Sequence, residues 1–246
     1  MIDGFLFINK EQGLTSRKVC NQISFKFGEK KVGHIGTLDP FATGLLIVTL
    51  GKGNKAGSFL EKSKKTYVAE LKLGIKTSTG DCTGDVISSN AVPELNEDSI
   101  KEVLETFLGK IKQIPPMTSA IHVNGTKLYK LAHKGIEIER KPRNIEIFNI
   151  SLLRYENGIL DFSCTVSKGT YVRTLGEDIA KALGTLGHLI SLRRISIGKW
   201  LLHYAKKVDE INEDDILSPD LFLSHSIILE PYPFDRSSGF TAKYSK

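Results

Sequence analysis

One carboxylate in a glycine-rich stretch is the side chain best placed for chemistry in this sequence. Asp39 precedes Pro40 within residues 33–46, which read GHIGTLDPFATGLL. Glycines allow sharp turns and close approach of the backbone to a ligand, and a proline disfavours helix at the residue before it. Because the apolar run 45–50 is typical of a buried strand, we expect Asp39 on a loop anchored by that strand. Asp-Pro is also a common turn device, so the motif needs support from elsewhere.

Composition restricts the class of protein. The 246 residues contain 34 Lys and Arg against 28 Asp and Glu, and 40% of them are hydrophobic. This length and hydrophobic content suit one large globular domain, or a domain with an appendage. The net charge of +6 favours a polyanionic partner without proving one. Three distant cysteines indicate neither a disulfide framework nor a zinc site, and they fit a reducing cytoplasm. No signal peptide or membrane-spanning apolar run is visible.

Hydrophobic periodicity predicts the elements that position the loop. Helices are expected around Val19 and Ile23, capped by Thr15 or Ser16, then over residues 97–108, and between residue 174 and Gly184. The pairs Asn124-Gly125 and Asn157-Gly158 are hairpin signals. Strict alternation over 65–73 places Tyr67 on the apolar face of a strand. Strands are expected over 5–8, 45–50, 65–73, 145–155, 159–167 and 195–197.

Residues 116–144 differ in composition from the rest of the chain. They hold six Lys or Arg and two His against two Glu. One interpretation is an ordinary solvated excursion outside the main core. The interleaving of Tyr129 with clustered cations favours contact with a nucleic-acid backbone instead.

Several separated segments resemble the motifs of one enzyme family, the TruB-type tRNA pseudouridine synthases, which modify uridine-55 in the T loop. In the family's order they read GHIGTLDPFATGLL, KTYVAELKLGIKTSTGD, IPPMTSAIHVNGTKLYKLAHKGIE, SKGTYVRTLGEDIAKALG and GHLISLRR. The resemblance implies an α+β fold with a mixed, largely antiparallel central sheet and flanking helices. It implies a catalytic domain over residues 1–204, with the RNA-gripping insertion at 116–144. Residues 205–246 would then form a short appendage in place of the PUA-type domain of many members.

The resemblance also implies roles for individual residues. Asp39 matches the catalytic aspartate, and Arg173 matches the arginine that pairs with it. His34 matches the histidine that helps displace the target nucleotide from the T-loop stack. The remaining matches, which line the uracil pocket, are Tyr67, Tyr171 and Leu192. Of these, Tyr67 matches the tyrosine that packs on the flipped base. The cations implied to contact the RNA backbone are Lys127, Lys130, Lys134, Arg140 and Arg143.

The implied reaction breaks the N1–C1′ bond of uridine, turns the uracil and rejoins it through C5. It is an isomerisation, so no cofactor and no metal are expected. A carboxylate can act as nucleophile or as base, and attack on the base, attack on the sugar and a glycal route all stay open. A nearby arginine favours the ionised carboxylate, and stacking offsets part of the cost of extruding a base. The implied partner is the T stem-loop of tRNA, with no membrane, and we expect a monomer.

Departures from the family pattern lead to further expectations. Glu11 stands where the family has proline, which predicts a looser turn after the first strand. Thr37 replaces the common alanine beside the site. His122 and His133 replace basic residues, which predicts a pH-dependent RNA grip in the insertion.

Other classes of function remain as alternatives. A tRNA-binding or tRNA-folding protein without catalysis would use the same basic surface, but it would need neither Asp39 nor Arg173. A metal hydrolase using His34 and Asp39 lacks further residues at ligand spacing. A glycosidase requires two facing carboxylates, and we expect one acid in the site.

Overall fold

A mixed sheet of nine strands forms the centre of the computed structural model, which describes residues 2–119, 121–123, 125–132 and 134–224. The strands of the described residues are β1 (Gly4–Lys10), β2 (Val32–Ile35), β3 (Thr43–Leu50), β4 (Lys65–Leu73), β5 (Ile75–Thr77), β6 (Val86–Ser89), β7 (Gly109–Gln113), β8 (His122–Val123), β9 (Thr126–Lys127), β10 (Arg143–Glu156), β11 (Ile159–Val166), β12 (Gly187–Ile197) and β13 (Trp200–Leu201). The helices are α1 (Ser16–Phe27), α2 (Gly53–Ala56), α3 (Glu97–Glu105), α4 (Leu128–Ala132), α5 (Val172–Ala182) and α6 (Pro219–Ser224).

The order of the strands brings distant segments together. The main sheet runs β1-β3-β12-β4-β11-β10-β7, while β2 also pairs with β3 and β13 with β12. The described pairings in it are antiparallel except for β3 with β12, where Thr43 lies opposite Arg193 and Gly44 opposite Arg194. The sheet is therefore mixed and largely antiparallel, and the end of β12 lies against the start of β3.

Apolar residues cover both faces of the sheet. Leu46 and Val48 of β3 join the larger cluster, to which α1 contributes Val19 and Ile23. Thr15 caps α1 by accepting a hydrogen bond from the Lys18 amide at 3.0 Å. Strand β4 alternates as the sequence predicts, with the Tyr67 face buried. A smaller cluster on the other face is formed by Phe5, Ile35, Leu45, Ile47, Leu60, Ile197, Trp200 and Phe222.

Two element boundaries differ from the sequence prediction. Strand β12 begins at Gly187, so the predicted start at residue 195 was wrong. The earlier part of the strand was missed because His188 and Arg194 are buried polar residues inside it. Irregular register near residues 189–191 and 194–196 further obscures the alternation along this strand. Helix α3 ends at Glu105, three residues before the predicted end at 108.

The insertion and the end of the chain are described in part. Strands β8 and β9 pair around the predicted hairpin turn, where Gly125 has a φ of 79°. Asn124 and His133 lie outside the described residues. After β13 the chain returns to β1, where the Phe5 amide donates to the Leu217 carbonyl at 2.9 Å. In α6, the Phe222 ring stacks on Phe5 with centroids 3.7 Å apart.

The assignment of residues 205–246 as a reduced appendage stays a prediction, and its part beyond residue 224 lies outside the described residues. Among the described helices, none is long and apolar enough to span a membrane.

Candidate active site

The Asp39 loop, residues 36–42, connects β2 to β3 and is anchored by apolar side chains. Leu38, Phe41 and Ala42 are buried, whereas the Asp39 side chain is 34% exposed. The Ala42 amide donates to the Asp39 carbonyl at 3.1 Å and closes a tight turn around Pro40. The loop therefore presents one partly exposed carboxylate from a fixed base.

Arg173 is the cation that contacts this carboxylate. It lies in the first turn of α5, is 3% exposed, and donates from Nε to Asp39 Oδ2 at 2.9 Å. Its Nη1 donates to the Thr79 carbonyl at 2.7 Å and to Thr118 Oγ1 at 2.5 Å. Its Nη2 donates to the Thr118 carbonyl at 3.0 Å. The guanidinium is held by several acceptors, so its position does not depend on Asp39 alone.

A second carboxylate lies at the same guanidinium, which corrects the expectation of a single acid. Asp81 Oδ2 is 3.6 Å from Arg173 Nε, and the Asp81 side chain is buried. Its Oδ1 accepts from the Thr83 amide at 2.9 Å and from Thr79 Oγ1 at 2.9 Å. Asp81 is thus occupied in holding its own loop and Arg173, while Asp39 is open to a substrate. Its sequence signal is the acid that ends the segment KTYVAELKLGIKTSTGD.

The predicted pocket residues lie on neighbouring elements. Tyr67 of β4 and Leu192 of β12 are buried in the apolar cluster that also contains Leu38 and Phe41 of the Asp39 loop. In the register Leu192 lies opposite Ala69, the residue two positions after Tyr67, so both side chains belong to one face of the sheet.

Tyr171 immediately precedes α5 and is fixed through its main chain. Its amide donates to Gln113 Oε1 at 2.8 Å, and its carbonyl accepts from Gln113 Nε2 at 3.1 Å. Burial raises the pKa of the Tyr171 phenol, and the charge of Asp39 acts in the same direction. The phenol is therefore protonated at neutral pH.

His34 lies on β2, five residues before Asp39. Burial lowers its pKa, as do the charges of Arg17 and Arg194, so the ring is neutral near pH 7. Its Nδ1 is buried and has no hydrogen-bond partner within the described part of the chain. A pocket of about 360 Å³ lies beside the ring and is lined in part by Arg17, Asn54 and Glu61.

Buried polar groups that the sequence analysis did not assign to the site hold the Asp39 loop in place. The Lys10 amine is 1% exposed and donates to the carbonyls of Leu14 at 2.7 Å and Pro40 at 3.3 Å. Burial lowers the pKa of Lys10 to about 8, although the charge of Asp39 opposes this. Ser16 Oγ accepts from the Leu38 amide at 2.9 Å.

The turn at Glu11, for which a looser conformation was expected, is tied on two sides. The Lys10 amine donates to the Glu11 carbonyl at 2.9 Å, and the Gly13 amide donates to the Pro40 carbonyl at 2.8 Å. The Glu11 carboxylate also pairs with Lys207 at 3.1 Å.

The cations predicted to bind RNA have different surroundings. Lys134 and Arg143 are exposed. The charge of Arg143 acts to lower the pKa of the Tyr171 hydroxyl, against the larger effect of burial. Arg140 pairs with Glu137 at 3.1 Å and is 21% exposed. Lys127 belongs to β9 and Lys130 to α4.

Comparison with known families identifies the class of protein to which this site belongs. A sequence model described as the TruB family pseudouridylate synthase (N terminal domain) matches residues 25–172, which is more than half of the chain. The chain belongs to the TruB family. The matched range includes His34, Asp39, Tyr67 and Tyr171, so the motif resemblance is confirmed at the level of the family.

Relatives in the TruB family match over most of the chain. The chain is 45% identical over 227 residues to tRNA pseudouridine synthase B of Hydrogenovibrio crunogenus, covering 91% of this chain and 75% of that protein. It is 46% identical over 213 residues to the protein of that name from Francisella philomiragia, covering 86% and 70%. The corresponding protein of Clostridium kluyveri is 43% identical over 216 residues, covering 88% and 74%.

Solved structures share the fold. A chain of a Cbf5–Nop10–Gar1 complex superposes with a TM-score of 0.69 and 27% identity, covering 89% of this chain and 60% of that one. A chain of an H/ACA RNP bound to a substrate RNA containing 2′-deoxyuridine gives 0.66 and 25%, with the same coverage. The predicted α+β class with a largely antiparallel central sheet is confirmed.

Proposed function

We propose that this chain isomerises uridine-55 in the T loop of tRNA to pseudouridine, with Asp39 as the reacting carboxylate. The observation that carries the proposal is the 2.9 Å contact between Arg173 and a partly exposed Asp39 in a member of the TruB family. The relatives that match most of the chain are tRNA pseudouridine synthases B, which supports tRNA as the substrate.

Each of the predicted site residues has a step that it can perform. Arg173 balances the charge of the carboxylate while the N1–C1′ bond breaks and the C5–C1′ bond forms. The C5 proton is lost and N1 gains a proton, so the product is an isomer of the substrate. Tyr67 and Leu192 supply an apolar wall against which the extruded uracil turns. The neutral ring of His34 occupies the space that the displaced nucleotide leaves in the T-loop stack. Attack on C6, attack on C1′ and abstraction of the C2′ proton each require an ionised Asp39.

The T stem-loop is bound through its phosphates in this proposal. The insertion supplies positive charge that positions the RNA without reading its sequence. The contacting cations are proposed to be Lys127, Lys130, Lys134, Arg140 and Arg143. The protein is proposed to act in the cytoplasm, which the cysteine usage supports, and to act as a monomer.

The alternative is a protein that binds or folds tRNA without catalysis. Binding would require only the exposed cations. Binding alone does not require a cation in contact with a partly exposed carboxylate, so the pairing of Arg173 with Asp39 disfavours this alternative.

Asp39→Asn tests the proposal because it removes the charge and keeps the shape. Purified protein is incubated with a T-arm stem-loop RNA, and pseudouridine is mapped by carbodiimide treatment and primer extension. We expect the wild type to produce a stop at uridine-55 and the variant to lose the reaction by about 10²–10⁴-fold or more. RNA affinity should stay within about twofold, since the backbone contacts are unchanged.

Three outcomes would contradict the proposal. An active Asp39→Asn variant would refute the role of the carboxylate. A wild type that binds the RNA and forms no pseudouridine would favour the binding-only alternative. A stop at another uridine would change the substrate.

A further inference from the structure

Arg194 is a fully buried cation that contacts both ends of the Asp39 loop. Its side chain extends from β12 and is 0% exposed. The guanidinium donates from Nη2 to the Gly36 carbonyl at 2.8 Å and from Nη1 to the Thr37 carbonyl at 3.4 Å. Its Nε donates to the Leu45 carbonyl at 2.8 Å. One planar group thus joins the segment entering the loop to the strand leaving it.

The two glycines that bracket the loop pack against the same residue. A Cβ on Gly36 would lie 3.3 Å from Arg194 Nη1, and Gly36 has a φ of 69°. A Cβ on Gly44 would collide with the main-chain oxygen of Arg194 and lie 2.9 Å from its amide nitrogen, and Gly44 has a φ of 99°. Glycine at these positions therefore allows β12 and the guanidinium to approach the loop closely.

Burying a guanidinium is costly unless its donors are satisfied. Here the acceptors are main-chain carbonyls whose positions depend on the conformation of the loop. Arginine can hold several acceptors in a fixed planar geometry, whereas the single ammonium of lysine cannot. A change in the loop would leave Arg194 with unsatisfied donors, so the guanidinium restricts the loop to one conformation.

We infer that Arg194 is a positioning residue for the reaction: it fixes the Asp39 carboxylate relative to Leu192, two residues earlier on β12, and to Arg173. The inference rests on the proposed function, because its effect is measured as pseudouridine formation. Arg173 contacts the carboxylate itself, whereas Arg194 reaches only the backbone on either side of it. Loss of Arg194 should therefore slow the reaction through the geometry of the loop and not through a lost contact with the carboxylate.

The experiment compares Arg194→Lys and Arg194→Met with the wild type in single-turnover reactions, with enzyme in excess over a T-arm stem-loop RNA. We expect the rate constant to fall about 10- to 100-fold in both variants, the scale reported for misplacement of a reacting group by about 1 Å. RNA affinity by filter binding should stay within about twofold of the wild type. The shape of the pH–rate profile should be unchanged in Arg194→Lys, which keeps the charge that acts on His34.

A matched control separates positioning from stability. Leu160 on β11 is also fully buried, and it lies opposite Leu71 of β4. In the sheet, β12 and β4 separate β11 from β3, the strand that follows the Asp39 loop. Leu160→Ala should lower the melting temperature through a cavity and leave the rate constant at 25 °C near that of the wild type.

The possible failures can be told apart. A wild type without pseudouridine formation refutes the proposed function, and the inference falls with it. An active wild type together with Arg194 variants of normal rate overturns the inference alone. The inference is also overturned if Leu160→Ala, at the same loss of stability, slows the reaction as much as the Arg194 variants do. If Arg194→Met does not fold, a normal rate in Arg194→Lys is sufficient to overturn the inference.

Discussion

The Asp39 loop and the insertion at residues 116–144 use positive charge in opposite ways. Around the loop, the cations Lys10, Arg173 and Arg194 are buried and donate to fixed oxygen atoms. In the insertion, Lys134 and Arg143 are exposed. Buried donors with several acceptors determine geometry, whereas exposed cations attract a polyanion from a distance and tolerate many arrangements. In the proposed function, the positioning of the reacting carboxylate and the capture of the RNA are therefore assigned to different regions of the molecule.

The two regions meet at the first residues of the insertion. Thr118 accepts two hydrogen bonds from Arg173, so the base of the insertion helps to hold the guanidinium. Arg140 also departs from the exposed pattern, because it is paired with Glu137 and is mostly covered. Counting cations along the sequence treats Arg140 and Lys134 alike, although only Lys134 is freely exposed to solvent.

Among changes that test this contrast between the two regions, the largest effect is expected from changing a buried cation at constant charge. Arg173→Lys keeps the positive charge, but a lysine cannot hold Asp39, Thr79 and Thr118 at once. We expect the single-turnover rate constant to fall about 100- to 1,000-fold, the scale for loss of a preorganised donor, with RNA affinity nearly unchanged.

The control for this prediction makes the same substitution at an exposed site. Arg154 is 58% exposed and pairs with Asp161 at 2.9 Å. Arg154→Lys should keep the wild-type rate constant. If Arg173→Lys lost only a few-fold in rate, geometry around Asp39 would not depend on the buried cation, and the contrast between the two regions would fail.

The sequence predicted features that depend on local patterns or on motifs. Alternation placed Tyr67 on the buried face of β4, which is confirmed. The hairpin signal at Asn157-Gly158 is confirmed by positive φ values of 51° and 72°, as a type I′ turn requires. The motif resemblance paired Arg173 with Asp39, and the structure has them in contact across 134 positions of sequence.

The supporting residues were not predictable, because their roles exist only in the folded chain. Arg194 ends the motif segment GHLISLRR, just before the strand predicted at 195–197, and its acceptors are 149 to 158 positions away. Lys10 reaches Pro40 across 30 positions. Asp81 belongs to a loop of small polar residues that resembles many surface turns until Arg173 is placed beside it.

A smaller effect, on affinity and not on rate, is expected from the insertion. Replacing Lys127, Lys130 and Lys134 together with glutamine should weaken RNA binding and reduce the slope of log affinity against log salt by up to about 2–3. The single-turnover rate constant at saturating enzyme should be close to that of the wild type. Filter binding between 50 and 200 mM salt, a range over which such contacts change affinity strongly, measures the slope.

A charge-matched control removes three lysines that are already paired. Lys101, Lys206 and Lys207 contact Glu97, Asp215 and Glu11, respectively. Their replacement with glutamine changes the net charge equally and should leave the slope nearly unchanged. Equal slopes for the two triple variants would show that overall charge attracts the RNA and that the insertion makes no special contribution.

The smallest effect is expected on the free energy of unfolding. Its pH dependence tests whether the Lys10 amine, which contacts the Asp39 loop at Pro40, is removed from water in the folded protein. Burial lowers the pKa of Lys10 in the folded protein to about 8, from an ordinary value of 10.5. Between these two values the unfolded chain binds more protons than the folded one. Raising the pH through this range therefore favours the folded state, by at most about 1.4 kcal/mol per pH unit.

Urea unfolding of the wild type and of Lys10→Met at pH 7 to 10 isolates this contribution, since other groups cancel in the difference between the two proteins. The wild type should gain stability relative to Lys10→Met as the pH rises above 8. Lys65→Met should show the same trend, because burial also lowers the pKa of Lys65 to about 8. A difference independent of pH would mean that the Lys10 amine is solvated in the folded protein. The cation under the Asp39 loop would then be no different from those of the insertion.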